Sequence, residues 1–168
     1  MDKLIRVETS GIENKGVFAA GFIEKGTRII EYTGKIISGE ELEKCLLRDS
    51  KHNRFYLFEL DDDRCKDGLN CGNNSIYINH SCEPNCYVDI NGDRIWIVAA
   101  RGIEKNEELT YDYKCDFDPS ALLVCKCGSK KCRGYILSEE ALIMMSRKVS
   151  MESPLMEAPL LVNTAKTI

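Results

Sequence analysis

The chain has 168 residues, of which 43 % are hydrophobic and 30 % are charged, and its formal net charge is −4 at pH 7. This length suits one domain with its own core, and the acidic balance argues against direct nucleic-acid binding while fitting a basic partner such as a lysine-rich peptide. No stretch approaches the roughly 18–20 apolar residues of a membrane span, and the first residues lack the apolar segment of a signal peptide.

The first half of the chain predicts short strands and one helix. Residues 4–37 alternate glycine turns with short runs rich in Val, Ile, Phe and Tyr, which is typical of short strands. A serine followed three residues later by glutamate is a capping box, and the apolar residues after it share one helical face, so residues 39–48 are predicted to be a helix. Residues 54–60 are predicted to be a strand and residues 67–75 a loop rich in Gly and Asn.

The second half begins with an unusual stretch, YINHSCEPNCYV at residues 77–88, in which the apolar Tyr77 and Ile78 run directly into turn-forming residues. This pattern predicts the end of a strand followed by tight turns. The later elements are predicted to be a hairpin over 86–100 with a type I′ turn at Asn91-Gly92, a strand over 107–115, a helix over 138–148 that begins with a capping serine, and a loosely packed tail from about 150 to 168.

Nine cysteines in a chain without a secretory signal favour free thiols or metal ligands in a reducing compartment. Three of them, Cys125, Cys127 and Cys132, follow the pattern C-x-C-x4-C, and a tetrahedral site would need a fourth ligand. Cys82 is the best candidate and Cys86 the second. Buried free cysteines are the alternative, but the basic neighbours argue against a core position and favour thiolates. Zinc is the metal that an all-thiolate site predicts.

Three segments, YINHSCEPN, EELTYDY and CKCGSKKCRGYI, together resemble the SET-domain protein lysine methyltransferases that carry a post-SET zinc knuckle. The segments NKGVFAA, EYTGKII, FYLFEL and GNNSIYINHSC occur upstream in the family's order, so the resemblance covers roughly residues 5–137. It implies a mostly β fold: several small sheets around a pseudo-knot threaded by residues 77–82, a short inserted helix, a zinc knuckle and a short C-terminal helix.

The resemblance also implies a division of the chain. A SET domain would span residues 1–118 with an insert at about 38–66, a post-SET knuckle would span 119–137, and a helix and tail would span 138–168. Because no cysteine-rich segment precedes the domain, the chain looks like a minimal stand-alone enzyme. Such forms suggest a bacterial or viral source, and the expected location is the cytoplasm or nucleus, or a host cell into which the protein is delivered.

The activity that the resemblance implies is methyl transfer from S-adenosylmethionine to a lysine of a protein substrate, a histone tail or another basic protein, by a monomer. Tyr113 resembles the catalytic tyrosine, Tyr32 a wall of the lysine channel, and Tyr111 the position that tunes how many methyl groups are added, here mainly one. The remaining implied site residues are Lys15, Gly16, Val17, Tyr56, Asn79 and His80 for the methyl donor, and Cys82, Cys125, Cys127 and Cys132 for one structural zinc.

Two departures from the family pattern support a different interpretation. Asn14 stands where the family's donor loop has its first glycine, and Ile76-Tyr77 stand where the family often has Arg-Phe. A zinc-stabilised binding module with little or no turnover is therefore the alternative function, in which the tyrosines and His80 only pack. A zinc hydrolase or deaminase is excluded, because its His-x-Glu motif is absent and an all-cysteine site leaves no open position for water.

Overall fold

The structure is a computed structural model that describes residues 3–52, 56–69, 72–118 and 122–152. Within these ranges the chain forms mainly short strands, with two α-helices and one short 3-10 helix (Asn74–Tyr77). The strands are β1 (Ile5–Thr9), β2 (Lys15–Ala19), β3 (Arg28–Tyr32), β4 (Lys35–Ser38), β5 (Leu57–Asp61), β6 (Arg64–Asp67), β7 (Asn79–His80), β8 (Cys86–Asn91), β9 (Arg94–Ala99) and β10 (Glu108–Tyr111). The helices are α1 (Gly39–His52) and α2 (Glu139–Glu152).

The strands form three small sheets, in the orders β1–β2–β10–β7, β3–β9–β8 and β4–β6–β5. All pairings are antiparallel except the one between β7 and β10, which places Asn79 opposite Thr110 and His80 opposite Tyr111. This parallel pair brings the motif at 79–82 beside the tyrosines at 111 and 113. The fold class predicted from the sequence is confirmed, while the threading of residues 77–82 through a pseudo-knot stays a prediction.

The core consists largely of aliphatic side chains from β2, β3, β9 and β10 and from the turns between them. Ile97, Ile103 and Leu109 are completely buried, as are Val17 and Ala19 of β2. Burying one Val, Leu or Ile side chain stabilises a fold by roughly 1.5–3 kcal/mol. The core therefore fixes the strands that carry the motif residues of the first sheet.

Helix α1 begins at Gly39 as predicted but continues to His52, four residues past the predicted end at 48. Two charged side chains near its end explain the extension, since the half-buried Arg48 bonds to Asp67 of β6 and the buried Asp49 accepts from the main-chain nitrogen of Tyr56. Helix α2 begins after Ser138, whose Oγ accepts from Ala141 N at 3.1 Å. The predicted tail from residue 153 onward lies outside the described residues, and no described helix has the length and apolarity to cross a membrane.

Three local predictions are wrong. Residues 74–77 form a 3-10 helix and not a loop running into a strand, because the Asn73 side chain accepts from Ser75 N and Ser75 Oγ. The strand predicted at 107–115 stops at Tyr111, because the main-chain nitrogen of Tyr113 donates to a ring nitrogen of His80.

The third error concerns the 86–100 hairpin, whose strands are confirmed but whose turn is not type I′. Asn91 pairs with Arg94, so the loop residues are Gly92 and Asp93, and only Gly92 has a positive φ, 57°. A single positive φ at the first loop position fits a type II′ turn. Strand β6 was not predicted at all; the predicted strand at 54–60 appears as β5, and residues 54 and 55 lie outside the described residues.

Candidate active site

A row of five rings crosses the site. The ring centroids of Tyr32 and Phe58 lie 5.2 Å apart, those of Phe58 and Tyr111 6.0 Å, those of Tyr111 and Tyr113 4.8 Å, and those of Tyr113 and His80 5.4 Å. The sequence placed four of these residues in one site but missed Phe58. Phe58 could have been found from its spacing to Tyr56, because residues two apart share a face of an extended segment.

The three tyrosine hydroxyls of this row differ in their hydrogen bonding. Tyr113 Oη donates to Ile78 O at 2.8 Å, and Tyr32 Oη donates to Tyr56 O at 2.7 Å. The Tyr111 hydroxyl has no hydrogen-bond partner among the residues that the structure describes. Burial raises the pKa of all three phenols above the ordinary tyrosine value, so each keeps its proton near neutral pH.

His80 connects this row to the cysteine cluster. Its Nδ1 accepts from Tyr113 N at 3.2 Å, and its Nε2 lies 3.4 Å from Cys82 Sγ. Burial lowers the pKa of His80 to about 4 against the opposing effect of Asp112, so the ring is neutral near pH 7. Since Nδ1 accepts, the proton sits on Nε2 and points at the sulfur. The 3.5 Å approach of Asp112 Oδ1 to Nδ1 is therefore not an ion pair near pH 7.

The predicted donor residues lie beside this row, on β2 and β7 of the first sheet, except Tyr56, which directly precedes β5. Asn79 Nδ2 donates to Lys15 O at 2.9 Å and to Glu108 Oε1 at 2.8 Å. Lys15 Nζ lies 4.9 Å from the centroid of the Tyr77 ring. The side chain of Val17 is completely buried in the core, so Val17 can reach a ligand only through its main chain. The main-chain oxygen of Tyr56 accepts the hydrogen bond of the Tyr32 hydroxyl.

The four cysteines predicted as metal ligands do come together. All four Sγ atoms of Cys82, Cys125, Cys127 and Cys132 lie within 4.8 Å of one another, with 3.7 Å between those of Cys82 and Cys125. Tetrahedral zinc with bonds of about 2.3 Å to sulfur needs sulfur atoms roughly 3.8 Å apart, so this donor set fits zinc. The second candidate, Cys86, is wrong, because it is buried in the core with its thiol donating to Asn85 Oδ1.

Main-chain amides surround this cysteine cluster. Arg133 N donates to Cys82 Sγ, Gly134 N to Cys132 Sγ and Cys127 N to Cys125 Sγ, at 3.4–3.5 Å. Such bonds stabilise thiolates, which are the form that binds metal. A side-chain pair also joins the knuckle to β10, since Arg133 donates to both carboxylate oxygens of Asp112 at 2.7 Å.

Comparison with known proteins agrees with this fold. The SET domain family matches residues 14–114, so the chain belongs to the SET-domain family. Over 137 residues it is 42 % identical to the histone-lysine N-methyltransferase trithorax of Drosophila virilis, and over 133 residues it is 44 % identical to the histone-lysine N-methyltransferase trr of Drosophila melanogaster. It is 38 % identical over 133 residues to human histone-lysine N-methyltransferase 2D.

These alignments cover 76–79 % of this chain but only 2–6 % of each relative. The chain therefore spans a small part of the length of the curated relatives that it matches. The family assignment made from the motifs at residues 77–85, 107–113 and 125–136 is confirmed.

Proposed function

We propose that the chain transfers a methyl group from S-adenosylmethionine to the side-chain amine of a lysine in a protein substrate, a histone tail or another basic protein. One observation carries this proposal. The row of rings from Tyr32 to Tyr113 ends at His80, beside Asn79 and the start of β2, so an apolar channel and a polar donor site would meet at Tyr113. The names of the relatives, histone-lysine N-methyltransferases, support the same chemistry.

The residues of the row suit the demands of the acceptor. A lysine amine with a pKa near 10.4 in water must lose its proton before it can attack, and an apolar channel beside a positive charge lowers that pKa. Neutral phenols do not compete as bases, and their hydroxyls can orient the amine lone pair. Most of the rate enhancement would then come from positioning and from exclusion of water.

The donor would supply an electrophilic methyl group on a sulfonium. Lys15, Gly16 and Val17 would hold it through the first three residues of β2, Asn79 and His80 through β7, and Tyr56 through the channel wall. The proposed role of Tyr113 is to fix the geometry of attack with its hydroxyl, which in this structure bonds to Ile78 O.

We further propose that lysine is mainly mono-methylated. The Tyr111 hydroxyl, unpartnered among the described residues, is placed to hold the amine or an ordered water. Such a bond would restrict rotation of the amine after one transfer and take up the volume that a second methyl group needs.

Zinc is the proposed occupant of the cluster formed by Cys82, Cys125, Cys127 and Cys132, with a structural role. The division into a SET domain over 1–118, a knuckle over 119–137 and a helix with a tail over 138–168 is likewise a proposal. A histone substrate would place the protein in a nucleus, and thiolate ligands would require a reducing compartment. The proposed protein is a monomer without direct contact to nucleic acid or membrane.

Incubation of the purified chain with isotope-labelled S-adenosylmethionine and a lysine-peptide array, followed by mass spectrometry, tests the proposal. Label on a lysine supports it, and Tyr113→Phe should abolish that label. Donor binding in calorimetry without label on any peptide or lysate protein would instead favour the binding module.

A further inference from the structure

The carboxylate of Glu108 joins three segments of the site. It accepts from Ser10 Oγ at 2.8 and 3.0 Å and from Asn79 Nδ2 at 2.8 Å. Ser10 is 98 residues away in sequence, at the start of the loop that leads into β2, and Asn79 lies on β7. Neither partner carries a charge. The carboxylate therefore acts here through hydrogen bonds, and sequence analysis assigned it no role.

This contact determines how the Asn79 amide is oriented. Lys15 O and Glu108 Oε1 can only accept hydrogen bonds, so the amide nitrogen must face them and both of its hydrogens are used within the protein. Asn79 Nδ2 also lies 3.2 Å from Ser10 Oγ, and among the described residues no donor reaches Asn79 Oδ1. The amide oxygen is thus the atom left for a ligand, and it can only accept.

The same carboxylate also orders the loop before β2. The hydroxyl of Ser10 gives its single hydrogen to Glu108 and accepts from Ile12 N at 2.9 Å. The main chain of Ile12 is therefore fixed through Ser10 to the Glu108 carboxylate. The loop cannot shift without breaking a bond to β10.

The requirement for glycine at position 16 has the same origin. A Cβ added at Gly16 would lie 2.3 Å from Glu108 Oε1 and 2.9 Å from Ser10 Cβ, well inside van der Waals contact. No positive φ is involved at this position, so the constraint is space and not backbone conformation. The main chain of β2 lies so close to Glu108 that the carboxylate occupies the space that a side chain at position 16 would need.

We propose that Glu108 is a positioning residue for methyl-donor binding, which orients Asn79 so that its Oδ1 faces the donor and holds the 10–16 loop against β7. This inference rests on the proposed function, because it concerns the same donor site. The group that Asn79 Oδ1 meets must be a hydrogen-bond donor, such as an amino or hydroxyl group of S-adenosylmethionine.

Calorimetric titration with S-adenosylmethionine, and separately with its demethylated product, tests the proposal on the full chain. Glu108→Ala should weaken binding of both ligands by about tenfold or more, as expected for an interaction worth at least 1.4 kcal/mol. Glu108→Gln keeps an acceptor oxygen for Asn79 and should stay within about threefold of the native chain, within the spread of a neutral hydrogen bond.

Glu107 provides a matched control on the neighbouring position. Its carboxylate accepts from Asn85 and Arg101, which belong to no predicted donor contact. Glu107→Ala should lower thermal stability yet leave donor affinity unchanged. Equal losses of affinity in Glu107→Ala and Glu108→Ala would overturn the proposal, because general destabilisation near β10 would explain both. Native affinity in a folded, zinc-loaded Glu108→Ala variant would overturn it as well.

A double-mutant cycle tests the steric link between Glu108 and position 16. Gly16→Ala should weaken donor binding strongly in the native chain and by a smaller factor in the Glu108→Ala background, where the closest obstruction is gone. If the two losses of donor affinity simply multiply, the Glu108 side chain is not the reason that position 16 requires glycine, and the proposal fails. A native chain that binds neither ligand would overturn the proposed function and this inference together, whereas the outcomes above overturn the inference alone.

Discussion

Arg133 of the cysteine knuckle donates two hydrogen bonds of 2.7 Å to the carboxylate of Asp112, the residue between Tyr111 and Tyr113. Both side chains are more than four-fifths buried. The Arg133 main-chain nitrogen donates to Cys82 Sγ, so one residue contacts both a predicted metal ligand and the tyrosine segment. Arg133 therefore connects the conformation of the cysteine knuckle to the position of the segment that carries Tyr111 and Tyr113.

Replacing Arg133 with Met should affect the aromatic row without affecting the metal site. The backbone contact to Cys82 remains, so zinc content should not change, while turnover should fall about tenfold or more. The Asp112 charge left behind should destabilise the chain by about 2–3 kcal/mol in urea unfolding, less than for a fully buried pair. The exposed pair Arg28–Asp89 is the control, and Arg28→Met should cost less than about 1 kcal/mol. Loss of zinc from Arg133→Met would show that the knuckle itself depends on the ion pair.

Tyr113→Phe should nearly abolish turnover while leaving donor affinity within a few-fold of the native value. The hydroxyl is proposed to act mainly on the transition state, so kcat should fall more than binding weakens. Tyr87 is exposed on β8, and Tyr87→Phe is the matched control with unchanged kinetics. Steady-state rates and calorimetry decide the matter. A Tyr113→Phe enzyme that retains most of its activity would remove Tyr113 from the catalytic role.

Tyr111→Phe should shift the products from mono-methyl-lysine toward di- and tri-methyl-lysine. Removing the hydroxyl frees volume and deletes a hydrogen bond worth on the order of 1–2 kcal/mol, enough to change product ratios about tenfold. Time-resolved mass spectrometry on an accepted peptide measures the ratio. Early tri-methyl product from the native chain, or identical products from the variant, would contradict the role assigned to Tyr111.

Cys82→Ser and Cys127→Ser should each lose the metal and the ordered knuckle. Elemental analysis of protein purified without chelator should find one zinc per native chain. Cys65 lies on β6 outside the cluster, and Cys65→Ser should retain the metal. Full zinc content in Cys82→Ser would mean that a different fourth ligand completes the site.

The ion pair between Arg48 and Asp67 makes the free energy of unfolding depend on pH in the acidic range. Burial alone would raise the pKa of Asp67, but hydrogen bonds from Arg48 and Leu69 N outweigh it and hold this pKa below its ordinary value. The stabilisation is therefore complete above the unfolded-state pKa of about 3.9 and is lost as the pH falls through the lower folded-state pKa. The free energy of unfolding should fall more steeply below about pH 4 in the native chain than in Asp67→Asn. Asp62→Asn, an exposed control, should follow the native profile.

The features that sequence predicted are those carried by local patterns. The strands of the hairpin at 86–100 follow from period-two alternation, and the helix beginning at 39 follows from apolar residues spaced along one face. Three members of the cysteine cluster follow the local C-x-C-x4-C spacing, whereas Cys82 was chosen because it lies in the motif at 77–85. These patterns depend on neighbours within a few residues, and such information survives without knowledge of the tertiary structure.

The features that sequence missed depend on distant partners. Phe58 belongs to the aromatic row only because the sheet that carries it packs beside Tyr32 and Tyr111. The strand predicted to continue past Tyr111 ends there because His80, more than thirty residues earlier, accepts the hydrogen bond of Tyr113 N. No local propensity at residues 112–115 reports that contact.

The parallel pairing of β7 with β10 also has a consequence for the order of folding. β7 has only two residues, and it is held by partners 29–69 residues away in sequence: Ser10, Lys15 and Glu108. Closing such long loops costs conformational entropy before any contact stabilises the closed state, so contacts of this kind slow folding. The hairpin of β8 and β9 can form early, whereas β7 is fixed only after β10 has been synthesised and docked. A ribosome-bound chain that ends before β10 should therefore contain the hairpin but not the pairing that places Asn79 and His80.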